Sequence, residues 1–334
     1  MFLSIIIPHY NLSQRLLRRC IDSILGLKIS VDEYEIIVID DGSDTPPRWI
    51  AVSYPFANIK LIECNHAGLG AARNSGIEAS EGKYIIFLDA DDTLQRSDAM
   101  QQCIDKLKIE TPDILRYNYK ELPPTKTVVS RTHQKVRFGN TISGAVYMLT
   151  NNLPGSSCCY FIKKEFIDKK GIRFTPNIYH EDEEYTTKAH FHAQKLIESD
   201  AHIYNYHIRE RSITRSQSPA DIAKREQDSL TVIKNLCTFR AITLERSNNL
   251  QKRALQRKLT MLIVDTIINL LHSGKKAKEI HTICRENFTA HKLYPLAKQN
   301  YGIKYKMFRK LGNSLFGLHI LRLLIPTHHK PVKQ

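Results

Sequence analysis

Carboxylates stand at the ends of two apolar runs in the first hundred residues. Residues 84–88 run directly into Asp89-Ala90-Asp91-Asp92, and residues 34–39 run into Asp40-Asp41-Gly42-Ser43. Two carboxylates flanking a small alanine can share a hard divalent cation with substrate phosphates, because Mg²⁺ and Mn²⁺ favour oxygen ligands and keep phosphate or water in their shell. Taken alone, Asp91 or Asp92 reads more readily as a helix cap, and the 40–43 segment more readily as a turn. A third acidic cluster, His180-Glu181-Asp182-Glu183-Glu184-Tyr185, heads a helical pattern, where the macrodipole favours acids. Other constellations carry no chemistry. The Gly68–Gly76 stretch has neither the G-K-[ST] of a phosphate loop nor the G-x-G-x-x-G spacing of a dinucleotide site. Cys158-Cys159 has no histidine at ligand spacing, and the 14 histidines form no H-E-x-x-H.

The elements that must hold these groups alternate in type. Residues 3–8 form a short isoleucine-rich run, as expected of a strand buried on both faces. Asn11-Leu12-Ser13 supplies an N-cap, and Leu16, Leu17, Cys20, Ile21, Ile24 and Leu25 follow at helical spacing. Further strands are expected at 34–39, 59–62 and 84–88, with a helix over 69–79. Repeated strand–helix units with short connections imply a doubly wound, mostly parallel sheet, which binds ligands at the C-terminal ends of its strands. Weaker strand signals follow at 113–117, 157–162 and 202–206, with a hairpin or excursion over 120–140. From Pro219 onward strand signals stop, and helices are expected near 220–248, 250–272 and 276–286.

Four segments in order strengthen the carboxylate reading: Ser4-Ile-Ile-Ile-Pro8-His9-Tyr10-Asn11, Glu35 to Ser43, Gly68-Leu-Gly-Ala-Ala-Arg73-Asn74-Ser-Gly76, and Gly82 to Asp92. Together they closely resemble the nucleotide-binding half of the inverting family 2 glycosyltransferases of the GT-A fold, of the bacterial surface-polysaccharide type. The resemblance is dense over 3–95 and thinner to about 216. It implies that Pro8, Tyr10, Asn11, Asp40 and Asp41 contact the donor, with Asp41 accepting from the uracil ring and Arg73 supporting that same end. It implies that Asp89 contacts ribose or metal, and that Asp91 holds a divalent cation, Mn²⁺ or Mg²⁺, bridging the diphosphate. Transfer to a hydroxyl needs the acceptor proton removed, which suits a positioned carboxylate. The family's Glu-Asp pair maps onto Glu181 and Asp182, with Asp182 as the base and Glu181 orienting it or the acceptor. Arg209 and Ser212 fall in a segment like the loop that closes over the donor diphosphate. The sequence departs from the family pattern at His9, at His66-Ala67 and at His207, which bears on base or sugar preference.

The implied architecture is an α/β GT-A domain over 1–218, with a nucleotide-binding half (1–95) and an acceptor half (96–218). A helical, basic region (219–334) follows, with an amphipathic tail at 303–325. Charge divides the same way: residues 1–220 hold 27 basic and 27 acidic side chains, and residues 221–334 hold 22 and 7, so the whole excess of +15 lies in the last third. In the tail, Met307, Phe308, Leu311, Leu315 and Leu318 share one expected face beside Lys304, Lys306, Arg309 and Lys310, a pattern suited to an anionic membrane surface. The other reading of such a stripe is packing on the protein's own core.

At 42% hydrophobic and 25% charged the chain is ordinary globular material, not a disordered or collagen-like one. No apolar stretch reaches the roughly 20 residues of a spanning helix, and the first residues do not read as a signal peptide. Seven cysteines without a C-x-x-C suggest a reducing cytosol. The expected partners are therefore a nucleotide-sugar (UDP-sugar) donor, a saccharide or lipid-linked saccharide acceptor and the inner face of the cell membrane. A basic nucleic-acid-binding protein and a non-catalytic nucleotide-sugar scaffold are the alternatives. Few aromatics interleave the basic third, which disfavours nucleic acid, and the retained Asp89, Asp91 and Asp182 disfavour the scaffold.

Overall fold

The computed structural model describes residues 1–123, 137–153, 155–208 and 218–326, and the chain divides into two compact units, Met1–Ser212 and Ile213–Gln334. In the first unit, β1 (Leu3–His9), β2 (Tyr34–Asp40), β3 (Ile59–Glu63), β4 (Tyr84–Phe87), β5 (Thr93–Leu94), β6 (Ile114–Leu122), β7 (Tyr160–Lys163) and β8 (Leu196–His207) form one sheet in the order β3-β2-β1-β4-β7-β6-β8-β5. β1 lies parallel to β2 and β4, and β2 parallel to β3. Beyond them β7 runs antiparallel between β4 and β6, and β8 returns parallel to β6. This is the mixed, mostly parallel sheet of a GT-A fold.

β1 and β2 are buried at every position, which explains their unbroken isoleucine runs. The helix α1 (Gln14–Leu25) buries Leu17, Cys20, Ile21 and Ile24, one face at 3.6 spacing. After α2 (Trp49–Ser53) comes α3 (Leu69–Ala79), whose small residues permit close approach. A side chain at Gly70 would place its Cβ 2.7 Å from the Thr175 carbonyl oxygen, so glycine lets α3 lie against the segment leading to the acidic cluster. The unit is completed by α4 (Ala99–Glu110), α5 (Gly144–Thr150), α6 (Lys164–Lys169) and α7 (Glu181–His192).

The second unit is helical among its described residues: α8 (Pro219–Thr243), α9 (Asn249–His272), α10 (Ala277–Phe288), α11 (Ile303–Gly312) and α12 (Leu315–Leu324). Ser218 caps α8 with Pro219 at its first position, and Asn248 with Gln251 forms a capping box on α9. The expected single tail helix over 303–325 is instead two. Asn313 leaves helical pairing to bond both the N–H and the carbonyl of Leu296 (2.7 and 2.9 Å), and Ser314 recaps the chain at Gly317. The apolar stripe is thereby divided. Leu318 and Leu321 are buried, while Met307, Phe316, Leu323 and Leu324 stand exposed. No helix among the described residues is long and apolar enough to cross a membrane.

Candidate active site

The C-terminal ends of β1 and β2 are fastened by one buried network. Asp40 accepts from His9 Nδ1 (2.8 Å), from Ser43 Oγ (2.6 Å) and from the Ser43 amide (3.1 Å). Burial alone would raise the Asp40 pKa; the hydrogen bonds from Ser43 and His9 outweigh it and hold the carboxyl below its usual range. Asn11, at φ 44°, donates its amide N–H to Ser43 Oγ (2.9 Å), and its side chain exchanges two bonds with Asp44. Pro8 is buried within β1. Asp41 spends one carboxylate oxygen on the Ala67 amide (2.9 Å) and the other on the Gly68 amide (3.0 Å), tying β2 to the start of α3. Gly42, at φ +75°, makes room for that loop, since a Cβ there would lie 2.7 Å from the His66 nitrogen.

Two rings stand out from this frame. Tyr10, 48% exposed, stacks on His66 with centroids 4.2 Å apart and planes 20° apart, and His66 Nδ1 lies 2.9 Å from Asp41 Oδ2. Among the described residues assigned to the donor, Tyr10 thus offers an open aromatic face. Asn11, Asp40 and Asp41 shape the frame around it.

Arg73 occupies the second cluster. Its side chain is 3% exposed, and it donates from Nη1 to Glu181 Oε1 (2.5 Å) and from Nη2 to Asp89 Oδ1 (3.0 Å). Burial disfavours this charge, but Asp89 and Glu181 beside it outweigh the cost and raise the guanidinium pKa. Its guanidinium carbon lies over Phe174 (5.4 Å) and Phe87 (5.9 Å), and Phe174 stacks in turn on Tyr185 at 3.9 Å. The neighbouring Asn74 exchanges two 2.9 Å bonds with the backbone of Phe174. Arg73 and Asn74 therefore clamp the 174–181 segment, and Arg73 is a buried tie between the two acidic ends and not a surface arginine. Glu181 is buried in the same ion pair.

Asp182 follows Glu181 at the head of α7. Burial, then the adjacent Glu181 charge, push its carboxyl well above the usual range, with Arg73 opposing. His180 precedes it in left-handed backbone, φ 62°, a conformation uncommon for a residue other than glycine.

Asp89 is 35% exposed and has one oxygen engaged by Arg73. Asp91 follows two residues later on the same turn. No group of three or more potential ligand side chains occurs among the described residues. Two carboxylates on one turn, one of them partly open, fit a hard cation that takes its remaining ligands from phosphate and water; they do not make a closed protein cage. The turn is held from behind. Asp92 is buried and accepts from Tyr204 Oη (2.5 Å) and the His207 amide (2.6 Å), and Arg19 donates to the Asp91 carbonyl (2.5 Å). Burial, then Asp89, push the Asp92 carboxyl up to about 8. Asp92, Tyr204 and Asn74 were absent from the sequence-derived set; the third acid of the Asp-Ala-Asp-Asp run was the available signal for the first. Arg209 and Ser212 lie outside the described residues.

Residues 4–169 match the profile of Glycosyl transferase family 2. The uncharacterized glycosyltransferase YibD of Escherichia coli K12 is 27% identical over 225 residues, 64% of this chain and 63% of that protein. A poly(ribitol-phosphate) beta-glucosyltransferase of Bacillus spizizenii is 29% identical over 214 residues, 63% of this chain and 32% of that protein. The chain thus spans less than two thirds of the length of these relatives. In fold, it is similar to S. aureus TarS 1-349 solved with UDP-GlcNAc, at a TM-score of 0.69 and 17% identity, covering 96% of this chain and 89% of that one. With its strand-end carboxylates on a GT-A sheet, the chain carries over residues 4–169 a domain of Glycosyl transferase family 2.

Proposed function

We propose that the protein moves a sugar, with inversion at the anomeric carbon, from a UDP-sugar to a hydroxyl of a saccharide or lipid-linked saccharide of the bacterial surface. The observation that carries this reading is the Arg73 bridge, which joins Asp89 of the Asp-x-Asp turn to Glu181, the residue preceding Asp182. Donor chemistry and acceptor chemistry thereby share one guanidinium. Asp89 and Asp91 would hold Mn²⁺ or Mg²⁺, which when bound neutralises charge on the diphosphate leaving group.

The chain's own residues do the rest. Tyr10 offers an aromatic face to the nucleobase, with His66 stacked beside it. Asp182 takes the acceptor hydroxyl proton as that oxygen bonds to the anomeric carbon, and the bond from that carbon to the diphosphate breaks and releases UDP. A carboxyl whose pKa is raised is the stronger base once ionised. Glu181, fixed by Arg73, orients the head of α7. The fold likeness to a chain solved with UDP-GlcNAc supports the choice of a uridine donor, and the relatives named for polymer glycosylation support the acceptor class.

We further propose a cytoplasmic location on the inner membrane face, a reading that the tail supports. Exposed Met307, Phe316, Leu323 and Leu324 lie among Lys304, Lys306, Arg309, Lys310 and Arg322, and each such cation near an anionic leaflet contributes about 1 kcal/mol. The test of the transfer reading is a panel of nucleotide sugars incubated with Mn²⁺ and saccharide acceptors, scored for free UDP and for the anomeric configuration of the product. Inverted product from a UDP-sugar is expected. Retained configuration, or no turnover with any UDP-sugar while another nucleotide sugar reacts, contradicts it.

A further inference from the structure

An open cleft of about 540 Å³ lies beside the Asp-x-Asp turn, between α1, β5 and the end of β8, and four arginines line it: Arg15, Arg18, Arg19 and Arg96. Asp22 is the single carboxylate of the lining, and one of its oxygens is already taken by Tyr54 Oη at 2.6 Å. None of the four arginines makes an ion pair among the described residues. Three are nonetheless held in place. Arg18 bonds Ser53 Oγ (3.2 Å) and lies 4.6 Å over the Trp49 ring; Arg96 donates to the Asp22 carbonyl (2.8 Å); Arg19 donates to the Asp91 carbonyl (2.5 Å). Arg19 Nε is buried without a partner.

Guanidinium groups held by neutral acceptors keep both their charge and most of their N–H donors, and fork geometry matches the oxygens of a phosphate. The residues explain the placement. Arg15, Arg18, Arg19 and Asp22 recur at three, four and seven along α1, so one helical face carries three cations toward one opening. His207, also in the lining, has its pKa lowered by burial and then by Arg19, so it is a neutral neighbour at pH 7 and not a fifth cation.

We propose that this cleft binds a phosphate ester, as a subsite for a phosphate-bearing acceptor separate from the nucleotide donor. The acceptor role rests on the transferase reading; the phosphate site does not. Through the Arg19 bond to the Asp91 backbone, an occupied cleft also steadies the turn that carries Asp89 and Asp91.

The test titrates sn-glycerol 3-phosphate into the full chain in EDTA, and UDP with Mn²⁺ separately, for the wild type and for R15Q/R96Q. Both substitutions fall on cleft arginines away from the proposed catalytic groups. Glycerol phosphate should bind the wild type, and the variant should bind it at least about five-fold more weakly, the two lost guanidiniums being charge-assisted donors, with UDP affinity unchanged. No binding to the wild type, or equal affinity in the variant, overturns the site. Vesicles containing phosphatidylglycerol separate the sources: a parallel loss of vesicle binding in the variant identifies a lipid headgroup, and unchanged vesicle binding identifies a soluble or polymer-borne phosphate. Glycerol phosphate binding without any UDP binding would keep the cleft and remove the transferase reading, and with it the acceptor role.

Discussion

Asp182 is the side chain on which the proposed chemistry turns. It shares the head of α7 with three further acids, which the macrodipole favours, but burial and the Glu181 charge distinguish it by raising its pKa. The sign of the consequence is fixed. A base acts only when ionised, so kcat/KM should rise with pH through the raised Asp182 pKa, and the acid limb should lie above the ordinary carboxylate range. Asp182→Asn should leave UDP affinity near the wild-type value and reduce transfer by about 10² or more. Steady-state rates across pH check both statements, and near-normal turnover in the variant would move the base elsewhere. Arg73 shows the opposite case, a residue whose type was readable but whose place was not. Its position in the Gly68–Gly76 motif is visible in the sequence, but its two partners lie 16 and 108 residues away. Only the packing of α3 against the 174–181 segment brings Glu181 to it.

At the level of elements, Arg73 is the tie between α3, the β4 turn and α7. Removing it leaves buried Glu181 and part-buried Asp89 without their cation, so Arg73→Ala should destabilise the first unit by about 3–5 kcal/mol, the usual cost of breaking a buried pair from one side. Urea denaturation would report it as a lowered midpoint; an unchanged midpoint would mean the bridge holds nothing. The elements themselves were largely legible. The buried isoleucine runs of β1 and β2 and the small-residue helix α3 are written in local pattern, and α3 matches its expected limits at 69–79. The sequence marks β8 only from 202 onward; Leu196–Glu198 pair in register with Ile114–Arg116, and the register then shifts before His202 meets Asn118, which breaks the strand pattern. The break between α11 and α12 was not legible either. It depends on Asn313 meeting Leu296, a tertiary contact that overrides a continuous apolar spacing.

For the whole molecule, the charge arithmetic separates two tasks. The first 220 residues are balanced and carry the site, and the last third carries the excess of +15. Two short helices with exposed Met307, Phe316, Leu323 and Leu324 suit shallow burial in a headgroup layer. Deleting residues 303–334 should abolish flotation with anionic liposomes and leave UDP affinity intact; persistent flotation would place the membrane contact elsewhere in the chain. The transfer chemistry depends on the first unit binding a uridine nucleotide through a cation at Asp89 and Asp91, whereas the membrane contact does not. Calorimetric titration of UDP, with and without Mn²⁺, into the wild type and Asp91→Ala tests that dependence most directly. The account predicts Mn²⁺-dependent binding in the wild type and at least a roughly ten-fold loss in the variant, since one of two protein carboxylates on the cation is gone. Equal, metal-dependent affinity in Asp91→Ala, or UDP binding indifferent to Mn²⁺, would contradict it.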